Sequence, residues 1–159
     1  MSVETAKKIR ESLKAAGYGP KRVAVRNHSY SMGSSVDVTV KDSTANFKEI
    51  EAIAHENENV RRCEYSGEIL SGGNTFVFVA WSREAEQAMA EPFLAAAEAA
   101  FEKAGDTVHA NVQGTGLTIT KSHHDVTVWG ESRERLTYCD GKDFSHLATA
   151  IAQVIKRAA

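Results

Sequence analysis

The residues best suited to covalent chemistry lie in a hydroxyl-rich stretch, residues 29–35, with the sequence SYSMGSS. A serine nucleophile needs a neighbouring base and an acid that orients this base, and it often sits in a G-x-S-x-G turn. The run Gly-Ser-Ser-Val that begins at Gly33 departs from that pattern. A hairpin loop over residues 29–34, in which Gly33 can take a positive φ and the serines bond backbone groups, explains these residues without chemistry. We therefore predict no catalytic residue and expect that the protein is not an enzyme.

A set of basic and loop residues is the strongest candidate for a binding surface. Positive side chains clustered on one helix and one strand end can contact phosphates, which is the sequence-independent part of nucleic-acid binding. The low pI of about 6.3 opposes this interpretation, and so does Asp37, which is expected opposite Arg26. The surface therefore fits either a protein partner or a nucleic acid. Its predicted residues are Lys7, Arg10, Lys14, Lys21, Arg22, Arg26, His28, Tyr30, Ser31 and Met32.

Several side chains of the second half are of types that zinc accepts. Adjacent histidines on a strand point to opposite faces, so only one of such a pair can join a site. Exposed turn histidines are the simpler explanation, and we predict neither a metal site nor a cofactor. The two cysteines show no C-x-x-C spacing and are expected to be buried thiols. The zinc-type residues of the second half are His109, His123, His124, Asp125, Cys139 and His146, and the two cysteines are Cys63 and Cys139.

Charge is unevenly distributed along the chain, although the net charge is only −2. Residues 1–41 hold eight Lys and Arg against three Asp and Glu, and residues 42–102 hold four against twelve. This asymmetry predicts a basic face and an acidic face, which could steer a charged partner or support head-to-tail homo-oligomers. The acidic run fits either a solvated helix face or a mimic of nucleic-acid phosphates. The small net charge favours the solvated face.

A hairpin over residues 23–40 organises the predicted fold. Valines alternate with polar residues in both halves of this stretch, and a period of two indicates strands with one buried face. Pairing Val25 with Val38 also sets Arg26 opposite Asp37 on the other face. One register therefore satisfies both faces of the hairpin.

Periodicity predicts helices on both sides of this hairpin and further strands after it. Apolar spacings of three and four residues indicate helices over residues 3–16, 47–55, 83–104 with a break at Pro92, and 144–158. Alternation indicates strands over residues 60–70 and 75–81, joined by a turn, and four short strands between residues 108 and 139. Ser43 or Thr44 is expected to cap the second helix.

The segment TFVFVAW, residues 75–81, is apolar in both of its alternating sets. A strand with this pattern commonly has both faces covered. We therefore expect a central position in the sheet. Phe76, Phe78 and Trp81 are predicted core residues.

The order of helices and hairpins predicts an α+β fold, an antiparallel sheet with helices packed on it. Two arrangements are open: one continuous domain, 1–159, or two small α/β sandwich halves, residues 1–82 and 83–159. No apolar run reaches the roughly 20 residues that a membrane span needs, and the first residues lack the apolar stretch of a secretion signal. We expect a cytoplasmic protein with no membrane partner.

Three segments, KIRESLK, VAVRNHSYSMGSSVDVTV and GNTFVFV, together resemble a known family. They are similar to the large polyvalent protein associated domain 29 of phages, plasmids and integrative elements. The specific part is the core Ser-Tyr-Ser-x-Gly-Ser-Ser with Arg26 and the pair Ile9-Arg10. The resemblance covers about residues 5–81, and no family is recognised for the second half.

This resemblance implies a role but little chemistry. Members of the family are associated with proteins of mobile elements that help invading DNA to establish itself, commonly by counteracting host defence. The implied protein binds a host CRISPR or restriction complex in the host cytoplasm. The alternative is a DNA- or RNA-binding accessory protein that uses the basic first helix and the hairpin.

Overall fold

The computed structural model describes residues 2–31, 33–70, 73–106, 108–141 and 143–158. Within these ranges it has five α-helices and seven strands in two sheets, which confirms the α+β class. The chain divides into two compact units, Met1–Ala85 and Glu86–Ala159, the N-terminal and the C-terminal unit. Compactness does not establish that each unit folds alone, so the domains 1–82 and 83–159 stay a prediction.

The N-terminal unit is a three-stranded sheet with two helices. β1 pairs antiparallel with β2, whereas β3 pairs parallel with β2, and the strand order is β1-β2-β3. A parallel neighbour needs a crossover connection, which α2 supplies. The elements are α1 (Ser2–Ala15), β1 (Val23–Tyr30), β2 (Gly33–Val40), α2 (Phe47–His55) and β3 (Asn74–Trp81).

The predicted register of the hairpin is confirmed. Val25 pairs with Val38, as the alternation of valines requires. The strands continue further than expected, because Tyr30 still pairs with Gly33. The connection between the strands is therefore shorter than the predicted loop over residues 29–34.

α1 and α2 cover one face of this sheet because each helix has an apolar stripe. Ile9 and Leu13 of α1 and Ile50 of α2 are at most 1% exposed. Gly17 follows the end of α1 with a φ of 87°, a left-handed conformation that glycine adopts without steric cost. The predicted first helix and its glycine stop are confirmed.

The N-cap of α2 differs from the prediction. The side-chain oxygen of Asn46 accepts a hydrogen bond from the Glu49 N–H at 3.2 Å, so Asn46 and not Ser43 or Thr44 is the N-cap. The N–H and hydroxyl of Thr44 instead donate to the carboxylate of Asp42. This local turn delays the start of the helix, because Asp side chains readily bond backbone groups two residues ahead.

Two predictions about β3 are wrong. β3 is an edge strand and not a central one, and residues 60–70 hold an isolated antiparallel bridge between Arg62 and Ile69 instead of a strand. The two apolar sets of β3 therefore have different surroundings: Val77 is 3% exposed, whereas Phe78 is 57% exposed. The cause is topological, since β3 pairs along its whole length with the distant β2 and with the preceding segment only at the bridge between Asn59 and Thr75.

The C-terminal unit is a four-stranded antiparallel meander in the order β4-β5-β6-β7. α3 leads into it and is capped by Ser82, whose hydroxyl accepts from the Ala85 N–H at 3.2 Å. A 3-10 turn, Glu91–Phe93, contains Pro92 and confirms the predicted break. The elements are α3 (Arg83–Ala90), α4 (Leu94–Lys103), β4 (Ala110–Val112), β5 (Leu117–Lys121), β6 (Asp125–Trp129), β7 (Arg135–Asp140) and α5 (Phe144–Ala158).

The core of the C-terminal unit lies between this sheet and the helices α4 and α5. Ile119 and Val128 of the sheet and Leu147 and Ile151 of α5 are fully buried in one cluster. The alternating pattern of the strands and the apolar stripe of the closing helix were both predicted, and they meet in this core. Across the described part of the chain, no helix is long and apolar enough to cross a membrane.

Candidate binding surface of the N-terminal unit

The second face of the N-terminal sheet carries polar and aromatic side chains instead of valines. Side chains alternate along a strand, so the neighbours of the buried valines point away from α1 and α2. The cross-strand register places these side chains in rows across the three strands. We call this surface the open face: Arg26, His28 and Tyr30 of β1, Ser35 and Asp37 of β2, and Phe76 and Phe78 of β3.

Aromatic rings dominate the open face. Phe78 is 57% and Tyr30 50% exposed. The rings of Phe76 and Phe78 are stacked, with centroids 6.4 Å apart and planes at 17°. Several exposed aromatic side chains on one rigid sheet are typical of a contact surface, whereas single exposed apolar residues need no explanation.

The charges of the open face are arranged differently from the prediction. Arg26 is opposite Asp37 in the register, as expected, but the ion pair of Asp37 is with His28, whose Nε2 lies 3.1 Å from the carboxylate. Within the described residues Arg26 has no ion pair, and its side chain is exposed. The open face therefore presents one free guanidinium, in the same cross-strand row as Phe78.

A groove of about 450 Å³ follows the edge of β1 beside α1. Its cationic lining comes from Arg10 and Lys14 of α1 and from Arg26 of β1. The guanidinium of Arg10 donates a hydrogen bond of 2.8 Å to the carbonyl of Val25. The apolar lining is Leu13, Tyr18, Pro20, Val23, Ala24 and Val25.

The other predicted basic residues do not join this groove. Lys7 lies 4.0 Å from Glu11 on the exposed side of α1. The guanidinium of Arg22 donates to Asp42 at 2.6 Å and lies over the ring of Tyr18. Lys21 is exposed and lines none of the grooves described.

Of the two predicted loop residues that the structure describes, Tyr30 and Ser31, only the first belongs to the candidate surface. Tyr30 belongs to the open face, and Ser31 is exposed beyond it. Met32 lies outside the described residues. The structure thus brings together only part of the predicted binding set, at the groove and on the open face.

Asp42 holds Arg22 at the base of the hairpin. Hydrogen bonds from the Thr44 hydroxyl and N–H, followed by that from Arg22, lower the pKa of Asp42 to about 2. Nearby, burial and a hydrogen bond with the Glu49 carboxylate raise the pKa of the Tyr18 hydroxyl above its ordinary value. Arg22 is thus paired with Asp42, and Tyr18 with Glu49. Both pairs stabilise the unit rather than offer charge to a ligand.

The glycine and serines of the hairpin position the sheet. A Cβ at residue 33 would lie 3.1 Å from the carbonyl oxygen of Asn74, a tight contact, so the close approach of β2 to β3 favours glycine at this position. Gly33 does not use the positive φ that is open to glycine. The hydroxyl of Ser34 is 3.0 Å from that of Thr75 on β3, and Ser35 is only 7% exposed. The Ser-Tyr-Ser-x-Gly-Ser-Ser core therefore joins β2 to β3 and so builds the open face.

Phe76 and Phe78 were missed as surface residues because aromatic residues in a strand are normally core residues. Trp81 of the same strand is 7% exposed and stacks on Phe47 at 4.9 Å, as a core residue should. One signal was available: the polar face of the hairpin must continue onto any strand that pairs with it. Using that signal required knowledge of which strand pairs with β2.

The histidines and thiols show no converging site. The described residues contain no group of three or more His, Cys, Asp or Glu that could hold a metal ion. The prediction of two buried thiols is wrong, since Cys63 and Cys139 are both partly exposed. Hydrogen bonds from Ser66 and from the Tyr65 N–H lower the pKa of Cys63, whereas burial raises that of Cys139 to about 11.

Fold and surface together define a class of protein: an α+β protein of two compact units whose N-terminal sheet leaves an aromatic face uncovered by its own two helices. Comparisons with protein-family models, with curated proteins and with solved structures found no match to this chain. The proposed function therefore rests on the geometry of this surface and on the resemblance noted in the sequence.

Proposed function

We propose that the protein acts by binding and not by catalysis, and that the open face contacts a protein partner. The observation that carries this proposal is the exposure of Phe78 and Tyr30 on the same sheet face as Arg26. Aromatic residues and arginine contribute most of the binding free energy at protein interfaces. The role implied by the resemblance is that of a mobile-element accessory protein that inhibits a host CRISPR or restriction complex in the host cytoplasm.

The charges of the unit favour a protein partner over a nucleic acid. Arg22 is paired with Asp42, and Asp37 brings a carboxylate into the middle of the open face. Phosphate binding depends on many uncompensated cations, because its strength comes from the release of counterions. A mixed surface of rings and both charge signs is better matched to a protein, where complementary charges fix the partner and its register.

A single-stranded nucleic acid is the second candidate. The stacked rings of Phe76 and Phe78, with Arg26 in the same row as Phe78, resemble the platforms on which bases stack. Stacking on such platforms contributes about 1–3 kcal/mol per base. This candidate uses the same open face, so binding experiments have to separate the two.

The first experiment tests the counter-defence role in cells. The protein is expressed in a host with an active CRISPR or restriction system, and the efficiency of plating of a targeted phage is measured. We expect the efficiency to rise with the wild type and to fall to the background with Phe78→Ser combined with Tyr30→Ser. The control is Tyr65→Ser, because Tyr65 is fully exposed but lies outside the open face. No rise in any tested system would remove this role.

The second experiment separates the two candidates in solution. Binding of the purified protein to random single-stranded and double-stranded DNA is measured at low and at moderate salt. Affinity that falls steeply with salt and is lost in Phe78→Ser would favour the nucleic acid over the protein as the natural partner. Absence of binding at low salt by the folded wild type removes the nucleic-acid candidate.

A further inference from the structure

The outer edge of β1 exposes part of its backbone. The Lys41 N–H donates to the carbonyl of Arg22 at 2.8 Å. Because outward and inward backbone groups alternate in an antiparallel pair, this bond directs the backbone groups of Val25 and Asn27 away from β2. The bond from Arg10 to the Val25 carbonyl agrees with that direction.

This edge is closed at its beginning, at Val23, and open at Asn27. The N–H of Val23 donates to the carbonyl of Gly19 at 3.0 Å, which blocks the first position. For Asn27, no hydrogen bond of the outward backbone groups is found with any described residue. The Val25 carbonyl can accept a second bond while Arg10 stays in place, because a carbonyl oxygen has two lone pairs.

The groove lies beside residues 23–26 of β1, next in sequence to the open position at Asn27, and it could receive the side chains of an added strand. Alternate side chains of such a strand would point to the α1 side, where Leu13, Tyr18 and Val23 form an apolar floor. The other side chains would lie next to Arg26. The groove volume of about 450 Å³ is large enough for several aliphatic side chains.

The charge of the groove specifies the occupant. Its lining holds three cations, Arg10, Lys14 and Arg26, and no carboxylate. Edge strands are commonly protected against pairing by charged side chains, and here the protecting charges are all positive. An incoming strand is therefore accepted when it carries acidic side chains and repelled when it carries basic ones.

We propose that the edge of β1 accepts an extended acidic segment of a partner protein as a fourth strand of the N-terminal sheet. Main-chain hydrogen bonds would supply affinity, and the groove and its cations would supply specificity. The proposal deepens the proposed function, on whose protein partner it rests, by stating the chemistry of the bound segment. A second copy of this chain and a nucleic acid are the competing occupants.

The experiment uses a defined probe, a blocked and fluorescein-labelled ten-residue peptide of alternating Glu and Val. Its binding to the full chain is followed by fluorescence anisotropy. We expect saturable binding that weakens at least tenfold in Arg10→Gln combined with Lys14→Gln. The matched control is Lys8→Gln, an exposed lysine of the same helix that does not line the groove. Equal weakening in the control would overturn the proposal.

Two variants of the probe test each half of the proposal without changing the protein. A peptide with Gln in place of Glu tests charge, and a peptide N-methylated at alternate residues tests main-chain pairing. We expect both to lose binding. Binding of the N-methylated peptide equal to that of the parent would refute strand addition, and so would no binding of the parent peptide.

The competing occupants give distinct results. In one result, unlabelled single-stranded DNA displaces the peptide, binds more tightly than it, and loses affinity equally in the double variant. This result would assign the groove to nucleic acid. Concentration-dependent dimers that are blocked by the peptide would assign it to a second copy. Peptide binding without any plating phenotype would remove the host-defence role alone, and the reverse result would remove strand addition alone.

Discussion

Removal of the Asp42 carboxylate tests whether the base of the hairpin stabilises the N-terminal unit. This carboxylate accepts hydrogen bonds from the Thr44 N–H at 2.8 Å, the Thr44 hydroxyl at 2.6 Å and the Arg22 guanidinium at 2.6 Å. Its pKa of about 2, against an ordinary 3.8, sets an upper limit of roughly 2.5 kcal/mol on the stabilisation at neutral pH. The side chains of Asp42 and Arg22 are 25% and 41% exposed, so solvent screening reduces the expected loss in Asp42→Ala to about 1 kcal/mol.

The pH dependence of this loss has a defined sign. The folded pKa lies below the unfolded one, so the stabilisation is complete above about pH 4 and is lost as the pH falls toward 2. Urea unfolding is followed by Trp81 fluorescence in a Trp129→Phe background, where Trp81 is the remaining tryptophan. The difference between wild type and Asp42→Ala should shrink by roughly half between pH 7 and pH 3. An equal difference at both pH values would refute the electrostatic origin.

Three further predictions concern packing and reactivity. Ile9→Ala should lower the free energy of unfolding of the N-terminal unit by about 2–5 kcal/mol, measured by urea unfolding, because Ile9 is fully buried. Gly33→Ala should lower it by about 1–3 kcal/mol in the same assay, since the new Cβ would crowd the Asn74 carbonyl. At pH 8, iodoacetamide should modify Cys63 faster than Cys139 in the folded protein, as measured by mass spectrometry, and at equal rates in denaturant.

Local patterns made the hairpin predictable. A strand period of two fixes which side chains share a face, and two polar partners on one face leave a single register. The pairing of Val25 with Val38 and of Arg26 with Asp37 follows from this alone. Helix α1 was predictable for the same reason, because its apolar stripe and Gly17 are adjacent in sequence.

Non-local pairing made the position of β3 unpredictable. The segment between β2 and β3, residues 41–73, is longer than the dozen or so residues that a crossover needs, and nothing in the residues of β3 identifies β2 as its partner. Its apolar character suggested two covered faces, although only the set with Val77 is covered. Phe78 was therefore assigned to the core, and the most exposed ring of the open face was missed.

The charges of the site were partly predictable. That Arg10, Lys14 and Arg26 belong to one surface follows from a basic helix beside a basic strand. Which cation is neutralised does not follow from spacing. In the register Asp37 faces Arg26, yet His28 is its ion-pair partner, because side chains on one sheet face also reach diagonal neighbours.

The mixed pairing of the N-terminal sheet links its motif to its surface. Gly33 and Ser34 contact the start of β3 and set how closely it approaches β2. That approach places Phe78 in the row of Arg26 and Asp37, and it leaves β1 at the opposite edge of the sheet. Gly33 and Ser34 thus affect binding indirectly, because they set the position of β3, which carries Phe78. A Cβ at residue 33 would also lie 3.4 Å from the ring of Tyr30, so a substitution at Gly33 should disturb the open face from both neighbouring strands and lower the plating efficiency that this face supports.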